Sequence, residues 1–215
     1  MSDHAAVRLI DVTKTFDRKP VLEAVNLSVA PGEICGIMGR NGSGKTTLLR
    51  IICGLVRPGS GQVIVLGENI TATGRFPADV GAIIEHPGFL PQYTGKRNLE
   101  FLAMIRGRIG MAEIEAAMRR VGLDPNLRTP VGKYSLGMRQ RLGIAQAIME
   151  SPRVLILDEP TSALDERGVE EVHALLRQLR KDGVAIIFTS HDRDEIQQIC
   201  DSAFLLENGR LVPLR

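Results

Sequence analysis

Gly39-Arg40-Asn41-Gly42-Ser43-Gly44-Lys45-Thr46 fills every slot of a phosphate-binding loop: Gly, four free positions, Gly, Lys, then Ser or Thr. Each residue type has a physical task. Glycines let the backbone curl until successive N–H groups point inward at phosphate oxygens, and Lys45 is long enough to reach β- and γ-phosphates. The Thr46 hydroxyl, followed by Thr47, is a candidate Mg²⁺ ligand, and the helix opening at Lys45 turns its positive N-terminal end toward the anion. Upstream, Glu33 to Met38 reads as a buried strand; downstream, Thr46 to Cys53 reads as a helix stopped by Gly54. Strand, glycine-rich loop and helix, in that order, distinguish a phosphate site from a Gly-rich turn that binds nothing.

The 215 residues suffice for one domain of ordinary core size with a small subdomain. Lys plus Arg number 27 against 25 Asp plus Glu, a net charge of +2 that lends no support to a nucleic-acid-binding surface. Scarce aromatics and the absence of Trp weigh against base-stacking platforms as well. Cys35, Cys53 and Cys200 are widely spaced in apolar segments and read as reduced core thiols, without metal-ligand spacing or a disulfide framework. Met1 to Arg8 lacks the apolar run of a secretion signal, and no stretch approaches the ~20 apolar residues that cross a bilayer. A membrane role would have to come through a partner.

Residues 7–16 and 21–30 alternate apolar and polar positions, as two half-buried strands joined by an Asp17–Pro20 turn. Further strands are expected over Gln62–Leu66 and Val80–Ile84. From 95 to 149 the chain reads as helical, broken at Gly107–Gly110 and Asp124–Gly132. Strand and helix then alternate: Val154–Leu157, Glu166–Lys181, Val184–Thr189, Arg193–Cys200 and Ala203–Glu207. The helix over 166–181 places Val169, Val172, Leu175, Leu176 and Leu179 on one face. This alternation predicts an α/β fold with a mostly parallel sheet covered by helices.

Val154-Leu155-Ile156-Leu157-Asp158-Glu159 is an apolar run, suited to a strand buried on both faces, ending in two carboxylates. Ligands bind at the C-terminal ends of strands in open α/β sheets. There Asp158 could hold Mg²⁺ through water, and Glu159 could act as general base on an attacking water. Solvated acids at a strand end are the competing reading.

Tyr134-Ser135-Leu136-Gly137-Met138-Arg139-Gln140-Arg141 resembles the signature motif of ABC-type ATPases. Asp158-Glu159-Pro160-Thr161-Ser162-Ala163-Leu164-Asp165 looks like their carboxylate strand running into the D-loop, and Thr189-Ser190-His191 looks like their switch histidine. The resemblance covers essentially the whole chain, with the motifs in order. It implies a P-loop ATPase fold of the ABC type, with an N-terminal antiparallel β subdomain and a helical subdomain. Residues 1–85 and 150–215 would form the nucleotide-binding core, and 86–149 the helical subdomain. It also implies ATP and Mg²⁺ as cofactors, Glu159, His191 and Lys45 as catalytic residues, and a Phe16 ring stacked on adenine. Ser135 and Gly137 would meet the γ-phosphate of a nucleotide held by a second ATP-binding subunit, identical or paralogous. For Ser135, a plain helix N-cap is compatible with that role.

Three positions depart from the family pattern. Glu85 stands where most relatives carry Gln, as a γ-phosphate and Mg²⁺ sensor that also touches the membrane subunit. Leu136 replaces a usual Gly, and Met138 a usual Gln. Gly81-Ala82-Ile83-Ile84-Glu85-His86-Pro87-Gly88-Phe89, taken with the signature, looks like the bacitracin and lantibiotic self-protection branch. The resemblance thus implies an ATPase that powers an exporter of antimicrobial peptide or drug-like cargo. It would be cytoplasmic and peripheral on the inner membrane face, beside an integral membrane permease. Phe89 and Tyr93 are groove candidates for a permease helix, with core packing the alternative. An ATP-gated binding subunit with little hydrolysis is the alternative function.

Overall fold

The computed structural model describes residues 5–85 and 87–214, so His86 of the quoted branch motif and Met1 to His4 lie outside the described residues. In chain order the elements are β1 (Val7–Phe16), β2 (Lys19–Val29), β3 (Ile34–Met38), α1 (Lys45–Ile52), β4 (Ser60–Val65), β5 (Glu68–Asn69) and α2 (Ile70–Thr73). Then come β6 (Val80–Ile83), α3 (Gly95–Arg106), α4 (Met111–Arg120) and α5 (Leu136–Ile148). The chain closes with β7 (Val154–Leu157), α6 (Glu166–Lys181), β8 (Ala185–Ser190), α7 (Arg193–Ile199), β9 (Ser202–Glu207) and β10 (Arg210–Pro213).

Two sheets result. One is antiparallel in the order β2-β1-β4-β5; the other runs β10-β9-β3-β8-β7-β6, parallel from β9 to β6 with β10 antiparallel at its edge. The parallel strands show why they read as unbroken apolar runs. On β7, Leu155 and Leu157 enter one core cluster while Val154 and Ile156 enter the other; on β8, Ile186 and Phe188 separate likewise from Ala185 and Ile187. Alternate side chains of a strand point to opposite faces, and both faces here are covered.

The first cluster joins that face of the sheet to α3, α4, α5 and α6, so the helical segment shares its core with the sheet. Contact is close where β6 meets α5: a Cβ built on Gly81 would lie 1.9 Å from the Ala147 carbonyl oxygen. Only glycine allows that approach.

Most element expectations hold, with local corrections. The β1–β2 connection is a two-residue turn, because Phe16 pairs with Lys19 and both Asp17 (φ 46) and Arg18 (φ 65) are left-handed. Such turns match the strand twist, and Pro20 is tolerated because β2 is an edge strand. β5, α2 and β10 were not expected; two- and four-residue elements show no readable period. Cys35 and Cys53 are core residues, whereas Cys200 is only partly buried.

Candidate nucleotide site

The site lies at the C-terminal ends of β3, β7 and β8. β8 separates the other two, so the loop after β3 and the carboxylates after β7 face each other across it. Helix α1 starts at Lys45 behind its N-cap Gly44, which is left-handed at φ 104, and has no side-chain cap and no acid in its first turn. Its first N–H groups are therefore available to an anion. The Ser43 hydroxyl is buried with no hydrogen-bond partner among the described residues, and nothing lies within 4 Å of a Cβ built on Gly42. Orphan donors lining an open cradle fit a phosphate group.

Lys45 is buried at 6% exposure, a costly position for an ammonium without acceptors. It donates to the Gly39 carbonyl (2.7 Å) and to that of Arg40 (3.4 Å), and lies 3.6 Å from Glu159 Oε1. Thr46 Oγ1 donates to Asp158 Oδ2 at 2.8 Å, and Thr189 Oγ1 to Asp158 Oδ1 at 2.7 Å. Thr189 Oγ1 in turn accepts the Glu159 N–H at 2.9 Å. A hydroxyl beside one carboxylate is a hard-oxygen set that suits Mg²⁺, which commonly takes one or two carboxylates together with substrate phosphates. Glu159, at φ 45, lies 3.5 Å through Oε2 from His191 Nδ1.

A cavity of about 490 Å³ opens over this cluster, lined among others by Arg40, Asn41, Gly42, Lys45, Thr47 and Glu85. Leu136 and Gln140 of α5 and Ala163 of the loop after β7 also line it. Glu85 thus borders the cavity, but its carboxylate pairs with Arg50 Nη2 at 2.7 Å, and both side chains are well exposed. Ser135 N-caps α5, its hydroxyl accepting the Met138 N–H at 3.1 Å. Gly137 packs near the Ala163 carbonyl, where an added Cβ would sit 3.2 Å away. The Phe16 ring is 46% exposed, with the Lys14 ammonium 4.9 Å from its centroid. Phe89 packs partly against the core; Tyr93 stays partly exposed, edge-on to Phe101 at 5.1 Å.

Sequence reasoning missed Thr189 as the link between the two carboxylates. Its signal was its place next to Ser190-His191. It also missed Gln140 as a cavity residue, for which a helical position alone gives no signal.

Residues 22–162 match the family model described as "ABC transporter". The chain belongs to the ABC transporter ATP-binding family. It is 43% identical over 205 residues to the uncharacterized ABC transporter ATP-binding protein YybJ of Bacillus subtilis, covering 95% of this chain and 94% of YybJ. To the bacitracin transport ATP-binding protein BcrA of Bacillus licheniformis it is 38% identical, covering 96% of this chain and 68% of BcrA. To the lantibiotic transport ATP-binding protein SrtF of Streptococcus pyogenes it is 31% identical, covering 96% and 89%. Among solved structures, a dimeric bacterial ABC transporter cassette superposes with TM-score 0.86 at 26% identity, over 97% of this chain and 99% of that one. A cassette dimer bound to ADP and Pi in a post-hydrolysis state gives TM-score 0.86 at 27% identity, with the same coverage. This ABC protein is accordingly an ATPase, the nucleotide-binding subunit of a transporter. No helix among its described residues is long and apolar enough to cross a membrane.

Proposed function

We propose that this ABC subunit hydrolyses MgATP between two copies, or between this chain and a paralogue, and drives a separate membrane permease that exports antimicrobial peptide or drug-like cargo. The observation that carries the chemistry is the placement of Glu159, with Lys45 on one side and His191 on the other, at the edge of the cavity over the phosphate loop. The loop 39–47 binds the phosphates through its N–H groups, Ser43 and Lys45. Thr46 and Asp158 hold Mg²⁺, which supplies charge neutralisation on the phosphate oxygens.

Glu159 accepts a proton from the attacking water as general base, and His191 hydrogen-bonds the terminal phosphate. Lys45 offsets charge as the phosphoryl group departs. Phe16 stacks on adenine at the C-terminal end of β1. Ser135 and Gly137 present the start of α5 to the nucleotide of the partner copy. The cargo reading rests on likeness to proteins named for bacitracin and lantibiotic transport, together with the 81–89 segment. We place the subunit on the inner face of the cell membrane, with residues 86–149 acting as a helical subdomain toward the permease.

The test is co-purification of the membrane partner, reconstitution of both into vesicles, and measurement of ATP-dependent movement of labelled bacitracin or nisin. Peptide movement that needs ATP and is absent in Glu159→Gln supports the reading. Peptide-independent ATPase with no transport overturns the cargo assignment.

A further inference from the structure

Four polar side chains that no step above uses lie buried together behind the carboxylates: Thr161, His173, Ser190 and Glu195. Glu195, on α7, accepts from the Thr161 hydroxyl (2.7 Å) and lies 2.9 Å from His173 Nε2, both through Oε1. Its Oε2 accepts from the Ser190 hydroxyl at 2.5 Å, and Ser190 Oγ accepts the Asp192 N–H at 3.0 Å. A carboxylate has no proton to donate, so His173 must present Nε2–H to it.

Burying a carboxylate costs several kcal/mol unless it is fully hydrogen-bonded. Burial pushes the Glu195 carboxyl up, but the bonds from His173, Ser190 and Thr161 outweigh it and hold the group below its ordinary value. The network is therefore satisfied as an anion. Removing one member would leave a buried group unpaired.

Its position gives it a role. Thr161 follows Glu159 with only Pro160 between them, and Ser190 immediately precedes His191. Through two side-chain hydroxyls, one carboxylate thus anchors a near neighbour of Glu159 and the immediate neighbour of His191, which stand 3.5 Å apart. His173, reaching in from α6, is its counter-group.

We infer that Glu195, held by His173, is a positioning residue for ATP hydrolysis, fixing the distance between Glu159 and His191 without touching the nucleotide. This rests on the proposed roles of Glu159 and His191. Misplacing reacting groups by about 1 Å costs on the order of 100-fold in rate, whereas ATP affinity depends on the loop at 39–47, which these residues do not touch.

The test is steady-state ATPase of the full chain with its permease, reading kcat, KM and ATP affinity for wild type, Glu195→Ala, Glu195→Gln and Thr161→Val. Glu195→Ala should lower kcat about 10- to 100-fold with ATP affinity within about twofold. Glu195→Gln retains an acceptor for Thr161 and His173, and should fall between alanine and wild type. Thr161→Val, isosteric but without the hydroxyl, should lower kcat about 3- to 10-fold, and it decides the matter if Glu195→Ala does not fold. Wild-type kcat in Thr161→Val and in either Glu195 variant overturns the inference, as does a fall in kcat matched by equal loss of ATP affinity. Glu159→Gln runs in parallel. Retained turnover there defeats the general-base reading whatever the Glu195 variants do.

Discussion

Thr46 and Asp158 are joined by a 2.8 Å hydrogen bond from hydroxyl to carboxylate, linking the first turn of α1 to the end of β7. Thr189 binds the other oxygen of the same carboxylate, so Asp158 is held at both ends before any ligand arrives. That geometry would preorganise the proposed cation site, and its disruption should be visible in binding rather than in folding.

Asp158→Asn should therefore retain ATP binding in EDTA and lose the extra stabilisation that Mg²⁺ adds. A ligand at about 100 times its Kd stabilises by about 2.7 kcal/mol, enough to resolve in a thermal shift. An equal MgATP shift in mutant and wild type would remove Asp158 from the metal site.

Glu159→Gln preserves shape but cannot take a proton. Turnover should fall by about 10²- to 10⁴-fold, and the protein should accumulate as an ATP-bound dimer. Residual activity within about threefold of wild type would contradict the general-base assignment.

Ser135→Arg tests whether the site is shared between copies. ATP binding to the monomer should stay near normal, because the 39–47 loop is untouched. Dimerisation in ATP, followed by light scattering, should vanish as the bulky side chain enters the γ-phosphate position of the other copy. Undiminished dimerisation would mean that one chain completes the site alone.

Glu85 is paired with Arg50 at the cavity rim, and both side chains are well exposed, so the pair contributes only about 0–1 kcal/mol to stability. Glu85→Ala should leave Tm nearly unchanged and basal ATPase mildly reduced, while permease-stimulated ATPase and transport fall further. Glu85→Gln, which can still hydrogen-bond Arg50, should retain part of the coupling. Wild-type stimulation in Glu85→Ala would show that this rim does not communicate with the membrane subunit.

The phosphate loop, the two carboxylates and the helical segment were legible because each has a fixed spacing or a clear period. The Asp158 bracket was not. Thr46, Asp158 and Thr189 come from three distant stretches, and only the sheet order brings them together. The Arg50–Glu85 pair is hidden for the same reason. His173 shows a different limit: it lies beside Val172 at the edge of an apolar stripe, where a polar residue reads as solvated. Only Glu195 on another helix explains its 1% exposure. The turn after β1 was legible as Asp17–Pro20, but not its tight two-residue form, because neither Asp17 nor Arg18 is the Gly or Asn that usually marks left-handed backbone.

Burial pushes the Cys35 and Cys53 thiols up to about 12, and desolvation raises Cys200 too. A thiol whose native value is raised contributes stability below its unfolded value near 9 that fades as pH climbs toward 12. The folded protein should react slowly with a thiol reagent at pH 8 and expose all three thiols in denaturant. Melting temperature should fall on titration above about pH 9. Fast labelling of native protein would show that these side chains are accessible.

Strand β3 carries the phosphate loop, yet both of its neighbours, β8 and β9, follow it in the sequence only after the helical segment, β7 and α6. A ribosome must therefore release the chain through β8 before this strand can pair on either edge. Until then Ile34, Cys35 and Ile37, all fully buried in the finished protein, remain exposed on an unpaired template. A chain interrupted before residue 185 lacks both partners of the strand that carries the phosphate loop, together with Thr189 and His191, so it should neither complete this sheet nor turn over ATP.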